Sequence, residues 1–141
     1  MSCAALYTPQ LRARGFRMTS QRLAILHVLR HSGRHLSPSE VYARAKQDLS
    51  GLTEPTVYRT LDFLAGNGLV IPAHMRGGHL VYEIARHNHH HLICRVCGNE
   101  MELEHSLLQK LYRNLESLSG YRLMDSHVTF FGLCPDCQKG D

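Results

Sequence analysis

Ser37-Pro38-Ser39-Glu40-Val41-Tyr42-Ala43-Arg44-Ala45-Lys46-Gln47-Asp48-Leu49 decides the fold of the first half of this chain. Ser37 is a good N-cap, Pro38 stands at the first helical position where a missing N–H costs nothing, and Glu40 completes a capping box. Val41, Ala45 and Leu49 recur every four residues, the apolar stripe of a helix. Upstream, Thr19 caps a run through Leu23, Ile25, Leu26, Val28 and Leu29 that Ser32-Gly33 ends. Downstream, Gly51 breaks the chain, and a further helix starts around Thr53 to Pro55, carries Val57, Leu61 and Leu64 on one face and stops at Gly66-Asn67-Gly68. Leu69-Val70-Ile71 and Leu80-Val81-Tyr82-Glu83-Ile84 read as strands joined through Arg76-Gly77-Gly78, a hairpin. Three helices and a hairpin make a winged helix-turn-helix over residues 1–84. In such a unit the third helix enters the major groove of double-stranded DNA. That places Thr56, Tyr58 and Arg59 against DNA, with Arg17 and Arg22 as backbone contacts.

Charge supports a polyanionic partner for this half. Residues 1–84 hold ten Arg and Lys against five acids, while residues 85–141 hold six against seven. Of the 16 basic residues 13 are Arg, whose planar fork suits phosphate and guanine edges. With 43% apolar residues the chain can bury a core, and no apolar run reaches the length of about 18 residues that a membrane span needs. A cytoplasmic protein with no membrane partner and no small-molecule substrate is expected.

The second half is dominated by sulfur and imidazole. Cys94-x-x-Cys97 and Cys134-x-x-Cys137 are two identical knuckles separated by 36 residues. Four thiolates in two such turns suit a tetrahedral structural Zn2+, and a closed set of this kind has no open position for catalysis. A redox dithiol would need only one pair. The unit from 85 to 141 is too small for its core alone to suffice, so zinc would supply the missing stability. Cys3 stands alone and is assigned no function.

His87-Asn88-His89-His90-His91-Leu92-Ile93-Cys94 runs into the first knuckle and reads as a strand. Period two puts His89 and His91 on one face and His90 and Cys94 on the other. The His-x-His pair is a natural chelate for a divalent metal distinct from the zinc held by sulfur. Glu100 and Glu102 share a face and could reach the same ion from a neighbouring strand, and His35 and Glu83 are further candidates. His27, His31, His74, His79, His87 and His105 receive no role. Residues 121–131 are expected to form a strand of the same sheet. A helix bearing Leu107, Leu108, Leu111, Tyr112, Leu115 and Leu118 should cover that sheet, with part of this stripe and Phe130 or Phe131 left for a dimer interface.

Four stretches together resemble the ferric uptake regulator superfamily of metal-dependent transcription factors. They are Arg17-Met18-Thr19-Ser20-Gln21-Arg22, Thr56-Val57-Tyr58-Arg59-Thr60-Leu61, His89 to Gly98, and Phe131-Gly132-Leu133-Cys134-Pro135-Asp136-Cys137. The resemblance implies an α+β protein: an N-terminal winged helix-turn-helix domain (1–84), then a small α/β dimerisation domain (85–141) with a zinc site on Cys94, Cys97, Cys134 and Cys137. It implies a homodimer on a palindromic operator and a regulatory metal at the hinge, with ligands on His35, Glu83, His89, His91 and Glu102. The expected function is a metal-responsive regulator, a repressor of metal-uptake genes rather than an enzyme. Glu at 83 and 102, where peroxide-sensing members carry Asp, and no Cys just after the wing favour Fe2+ as the sensed ion, with zinc-, manganese- or peroxide-sensing as alternatives. A further metal site involving His90 or His127 is left open. Outside the family, a zinc-dependent hydrolase or deaminase is the rival, and it lacks the His-x-Glu element that such enzymes use.

Overall fold

The computed structural model of the chain describes residues 1–86, 89–123 and 127–140. The chain divides into two compact units, Met1–Pro72 with Leu80–Ala85 and Ala73–His79 with Arg86–Asp141.

The first unit is built on four helices, α1 (Cys3–Ala13), α2 (Ser20–Ser32), α3 (Pro38–Asp48) and α4 (Glu54–Gly66), and the strand β2 (Leu80–Ile84), which pairs with β1 (Val70–His74). Thr19 accepts from the Arg22 N–H, Gly33 ends α2 in the left-handed conformation, and Ser37 and Glu40 close the capping box at α3. Ile25, Leu26, Val41, Val57, Leu61 and Leu64 are wholly buried where α2, α3 and α4 pack together.

α1 has no counterpart in the sequence reading. Pro9 lies inside it, where a missing N–H and a ring clash ordinarily cost about 3 kcal/mol. Cys3, Tyr7 and Leu11 recur every four residues and are buried. Burial of large side chains at roughly 1.5–3 kcal/mol each offsets that cost. Ser2 caps the helix by accepting from the Ala5 N–H at 3.1 Å.

One isolated bridge matters for the chemistry. Leu36 and Tyr82 exchange both backbone hydrogen bonds, at 2.9 and 2.8 Å, so the link between α2 and α3 lies antiparallel to β2. The residues flanking this bridge, His35 and Glu83, are thereby set side by side.

The second unit contains a three-stranded sheet in the order β4 (Glu100–Glu104), β3 (His89–Cys94), β5 (Thr129–Gly132), with α5 (Gln109–Ser119) in the crossover and a short α6 (Pro135–Gln138). β3 is central, antiparallel to β4 and parallel to β5. Flanked on both edges, it buries His89, His90, His91, Ile93 and Cys94. His87 and Asn88, the expected start of this strand, lie outside the described residues. The strand expected over 121–131 is regular only at Thr129–Gly132; Met124, Asp125 and Ser126 lie outside the described residues, and the Leu123 N–H is bonded to the Glu116 carboxylate at 2.7 Å rather than to a neighbouring strand. The apolar helix opens with a single 3-10 turn at His105–Leu108 before α5 begins. α5 buries none of its residues: Leu111 and Leu115 are half exposed and Leu118 is 86% exposed.

Candidate metal centres and nucleic-acid interface

Cys94 closes β3, Cys97 ends the turn that leads into Gly98 at φ 75°, Cys134 caps α6 and Cys137 lies within it. All four sulfurs lie within 4.8 Å of one another. Four sulfurs about 2.3 Å from a tetrahedral zinc stand about 3.8 Å apart, and Cys97 and Cys134 are 3.7 Å apart. Backbone N–H groups are aimed at the sulfurs: Cys134 donates to Cys94 and Asn99 to Cys97, each at 3.4 Å. The Cys134 backbone N–H, with that of Cys97 next in effect, pulls the Cys94 thiol down to about 6. Hydrogen bonding to Cys134, and then burial, push Cys137 up to about 12. One corner is therefore a ready thiolate and another holds a proton that zinc would displace. The donor set fits zinc and leaves no position for a reacting water.

Two further chemistries share β3. On one face His89 and His91 stand 5.0 Å apart by ring centroid, and His127 packs against both at 4.2 and 4.9 Å. The His91 Nδ1 lies 2.8 Å from Glu100 Oε1. Glu102 is paired with His91 across the ladder and is exposed.

On the other face His90 Nδ1 accepts from the Val128 N–H at 3.0 Å, which leaves the proton on Nε2 to be donated to His105 Nδ1 at 2.9 Å. Burial, and then the neighbouring His105, hold the His90 pKa below its ordinary value. With both ring nitrogens engaged, His90 serves the sheet.

In the first unit His35 Nε2 lies 3.2 Å from Glu83 Oε2, both side chains about 85% buried (14% and 15% exposed). The first unit thus carries two of the expected regulatory ligands, and the second carries the other three, His89, His91 and Glu102.

The outer face of α4 presents Tyr58, 48% exposed, and Arg59. Arg59 donates to Thr56 Oγ1 at 3.3 Å, and that hydroxyl meets Thr53 Oγ1 at 2.9 Å, so the first turn of α4 is a linked polar surface. Arg17 is exposed. Arg22 is held: its guanidinium lies 3.8 Å over the Phe63 ring and donates to the Arg17 carbonyl, while Phe16 meets Phe63 edge-on at 4.9 Å.

The ferric uptake regulator family model matches residues 13–131. The chain belongs to that family. It is 34% identical over 140 residues to the ferric uptake regulation protein of Synechococcus elongatus, covering 96% of this chain and 95% of that one. Among solved structures it is similar to the ferric uptake regulator of Helicobacter pylori, described as having three functional metal binding sites, at TM-score 0.72 and 26% identity over 97% of this chain and 92% of that one. The manganese-bound ferric uptake regulator of Pseudomonas aeruginosa is likewise similar, at TM-score 0.73 and 27% identity over 90% and 96% of the two chains. Family members are metal-responsive transcriptional regulators, with iron-uptake regulators most prominent among the relatives and zinc and manganese members alongside.

Seen as a member of the ferric uptake regulator family, the chain keeps its sulfur and imidazole donors apart, as strand parity requires. Two residues that the sequence left as open candidates, Glu100 and His127, are placed beside the β3 histidines. Glu100 comes within 2.8 Å of His91, and His127 joins the His89 face from 36 residues beyond His91; the register of β4 and β5 against β3 places them there. Cys3, assigned no function from sequence, lies against His27.

Proposed function

We propose that the chain is a metal-responsive, DNA-binding transcriptional repressor of metal-uptake genes, acting as a homodimer on a palindromic operator. Residues 1–84 form the DNA-binding domain, with Thr56, Tyr58, Arg59 and Arg17 meeting the duplex. Arg22 acts chiefly by fixing the approach to α2. Residues 85–141 form the metal-binding dimerisation domain. Cys94, Cys97, Cys134 and Cys137 hold structural zinc, and His35, Glu83, His89, His91 and Glu102 take the sensed divalent ion, Fe2+ in the first instance.

The observation that carries this reading is the division of labour along β3: a closed sulfur set at its end, and on one face a separate pair of imidazoles with the Glu100 carboxylate beside His91. Sulfur holds zinc for folding, whereas imidazole and carboxylate exchange iron or manganese reversibly. The ion, when bound, supplies charge and coordination bonds that favour one arrangement of its ligands. To act as a signal it must bind the DNA-competent state more tightly, and DNA must raise metal affinity by the same factor. The exposed stripe Leu111, Leu115 and Leu118 on α5 supports burial against a second copy, and two-fold symmetry then presents two α4 helices to a palindrome.

The test is the metal content of purified protein by elemental analysis, with duplex binding by fluorescence anisotropy against iron(II), manganese(II), zinc(II) and nickel(II). The expected result is one tightly held zinc per chain and DNA affinity that rises 5–150-fold with the cognate ion. Duplex affinity indifferent to every ion would refute the proposal.

A further inference from the structure

Beyond the sulfur knuckles and the imidazoles of β3, a third group of metal-type donors lies in the first unit. Cys3 opens α1, and His27 and His31 stand four residues apart on α2. One donor atom from each of the three lies within 4.8 Å of the others. We propose that Cys3, His27 and His31 form a metal site for a borderline-soft divalent ion of the zinc class, independent of the regulatory reading above.

Geometry favours a shared ion over a chance meeting of side chains. Cys3 Sγ lies 3.6 Å from His27 Nδ1. A thiolate sulfur and an imidazole nitrogen on one tetrahedral zinc stand about 3.6 Å apart, from bond lengths of about 2.3 and 2.05 Å. Two histidines at i and i+4 face the same side of a helix and chelate one ion, and their rings here are 4.1 Å apart. His31 Nδ1 lies 2.9 Å from the His27 carbonyl oxygen. A carbonyl only accepts, so Nδ1 bears the proton and Nε2 offers its lone pair; backbone fixation of this kind orients metal-ligating imidazoles.

The sulfur is held in place as well. Arg30 donates to Cys3 Sγ at 3.5 Å and to the Met1 carbonyl at 3.1 Å. Cys3 is 6% exposed yet lines an open cleft of about 390 Å3 with His27 and Asp48, which leaves room for a water as fourth ligand. One thiolate with two imidazoles suits zinc or cobalt better than iron or magnesium. An ion here ties the first residue of α1 to the middle and end of α2.

The experiment is a cobalt(II) titration of zinc-replete full-length protein, followed by the near-ultraviolet thiolate-to-cobalt charge-transfer absorption, with retained zinc counted by elemental analysis. The imidazole face of β3 has no sulfur and does not contribute to this band, and retained zinc excludes displacement at the four-cysteine site. The expected result is a band saturating at one cobalt per chain with the structural zinc in place. Cys3→Ser abolishes it, and His31→Ala weakens cobalt binding at least about tenfold. His31 is exposed, so its truncation spares the fold, and Cys3→Ser is checked by far-ultraviolet circular dichroism. No band in the parent protein, a band surviving in Cys3→Ser, or unchanged affinity in His31→Ala each overturns the site.

Discussion

Replacing Cys94 with serine removes one corner of the sulfur cluster and should unfold half of the molecule while sparing the other half. The first unit has eighteen buried apolar side chains in one continuous core. In the second unit, among the described residues, the buried aliphatic side chains are Ala73 and Ile93. Ile93, 2% exposed, is worth about 2–3 kcal/mol. Structural zinc in small domains contributes about 10–16 kcal/mol. A domain of ordinary stability has only about 5–15 kcal/mol in hand. The zinc term therefore exceeds anything the sheet can supply from Ile93 and its three central histidines. The assay is amide hydrogen exchange by mass spectrometry on the full chain, with zinc counted by elemental analysis. In Cys94→Ser, zinc is lost, amides of β3, β4 and β5 exchange at the rate of unfolded chain, and α2, α3 and α4 keep their protection. Retained protection across β3 in zinc-free protein would refute the argument.

His89→Ala should leave a folded, zinc-bearing protein whose DNA affinity no longer responds to added metal, a loss of the 5–150-fold coupling read by anisotropy; unfolding of the variant would instead make His89 structural. Arg59→Ala should weaken duplex binding by about 1–3 kcal/mol with unchanged Tm. Arg22→Ala should lower thermal stability by about 1–2 kcal/mol, because it removes the guanidinium over Phe63. Tyr82 donates to Asp62 Oδ1 at 3.3 Å, and burial first, then the Asp62 charge, hold its pKa above 10.0. The unfolded chain releases this phenolic proton first, so the tyrosine's contribution is complete below about pH 10 and falls as pH rises toward the folded value. Tyr82→Phe should cost about 1 kcal/mol at neutral pH and flatten the alkaline limb of a urea-denaturation profile.

What could be read directly were features whose physics is local. Thr19, Ser37 with Glu40, and Gly33 mark helix ends within a single turn of chain. The two Cys-x-x-Cys turns each set two sulfurs, and period two assigned His89 and His91 to one face and His90 to the other. α1 was not legible because Pro9 argues against a helix, and the compensating burial of Tyr7 and Leu11 exists only in the assembled core. The strand expected over 121–131 was too long because side-chain alternation does not reveal where backbone partners run out.

The sequence by itself determined the order of α2, α3 and α4, the winged architecture, the sulfur set and the placing of His89 and His91 on one face of β3, since caps, breakers and periodicity act over a few residues. Tertiary structure alone decided which distant side chains meet. The Leu36–Tyr82 bridge sets His35 beside Glu83 across 48 residues of chain. Strand register brings Glu100 and His127 to the β3 histidines, and the docking of α1 on α2 brings Cys3 to His27 across 24 residues. Such encounters are stabilised by burial summed over whole elements, and no short stretch of chain carries a record of that sum.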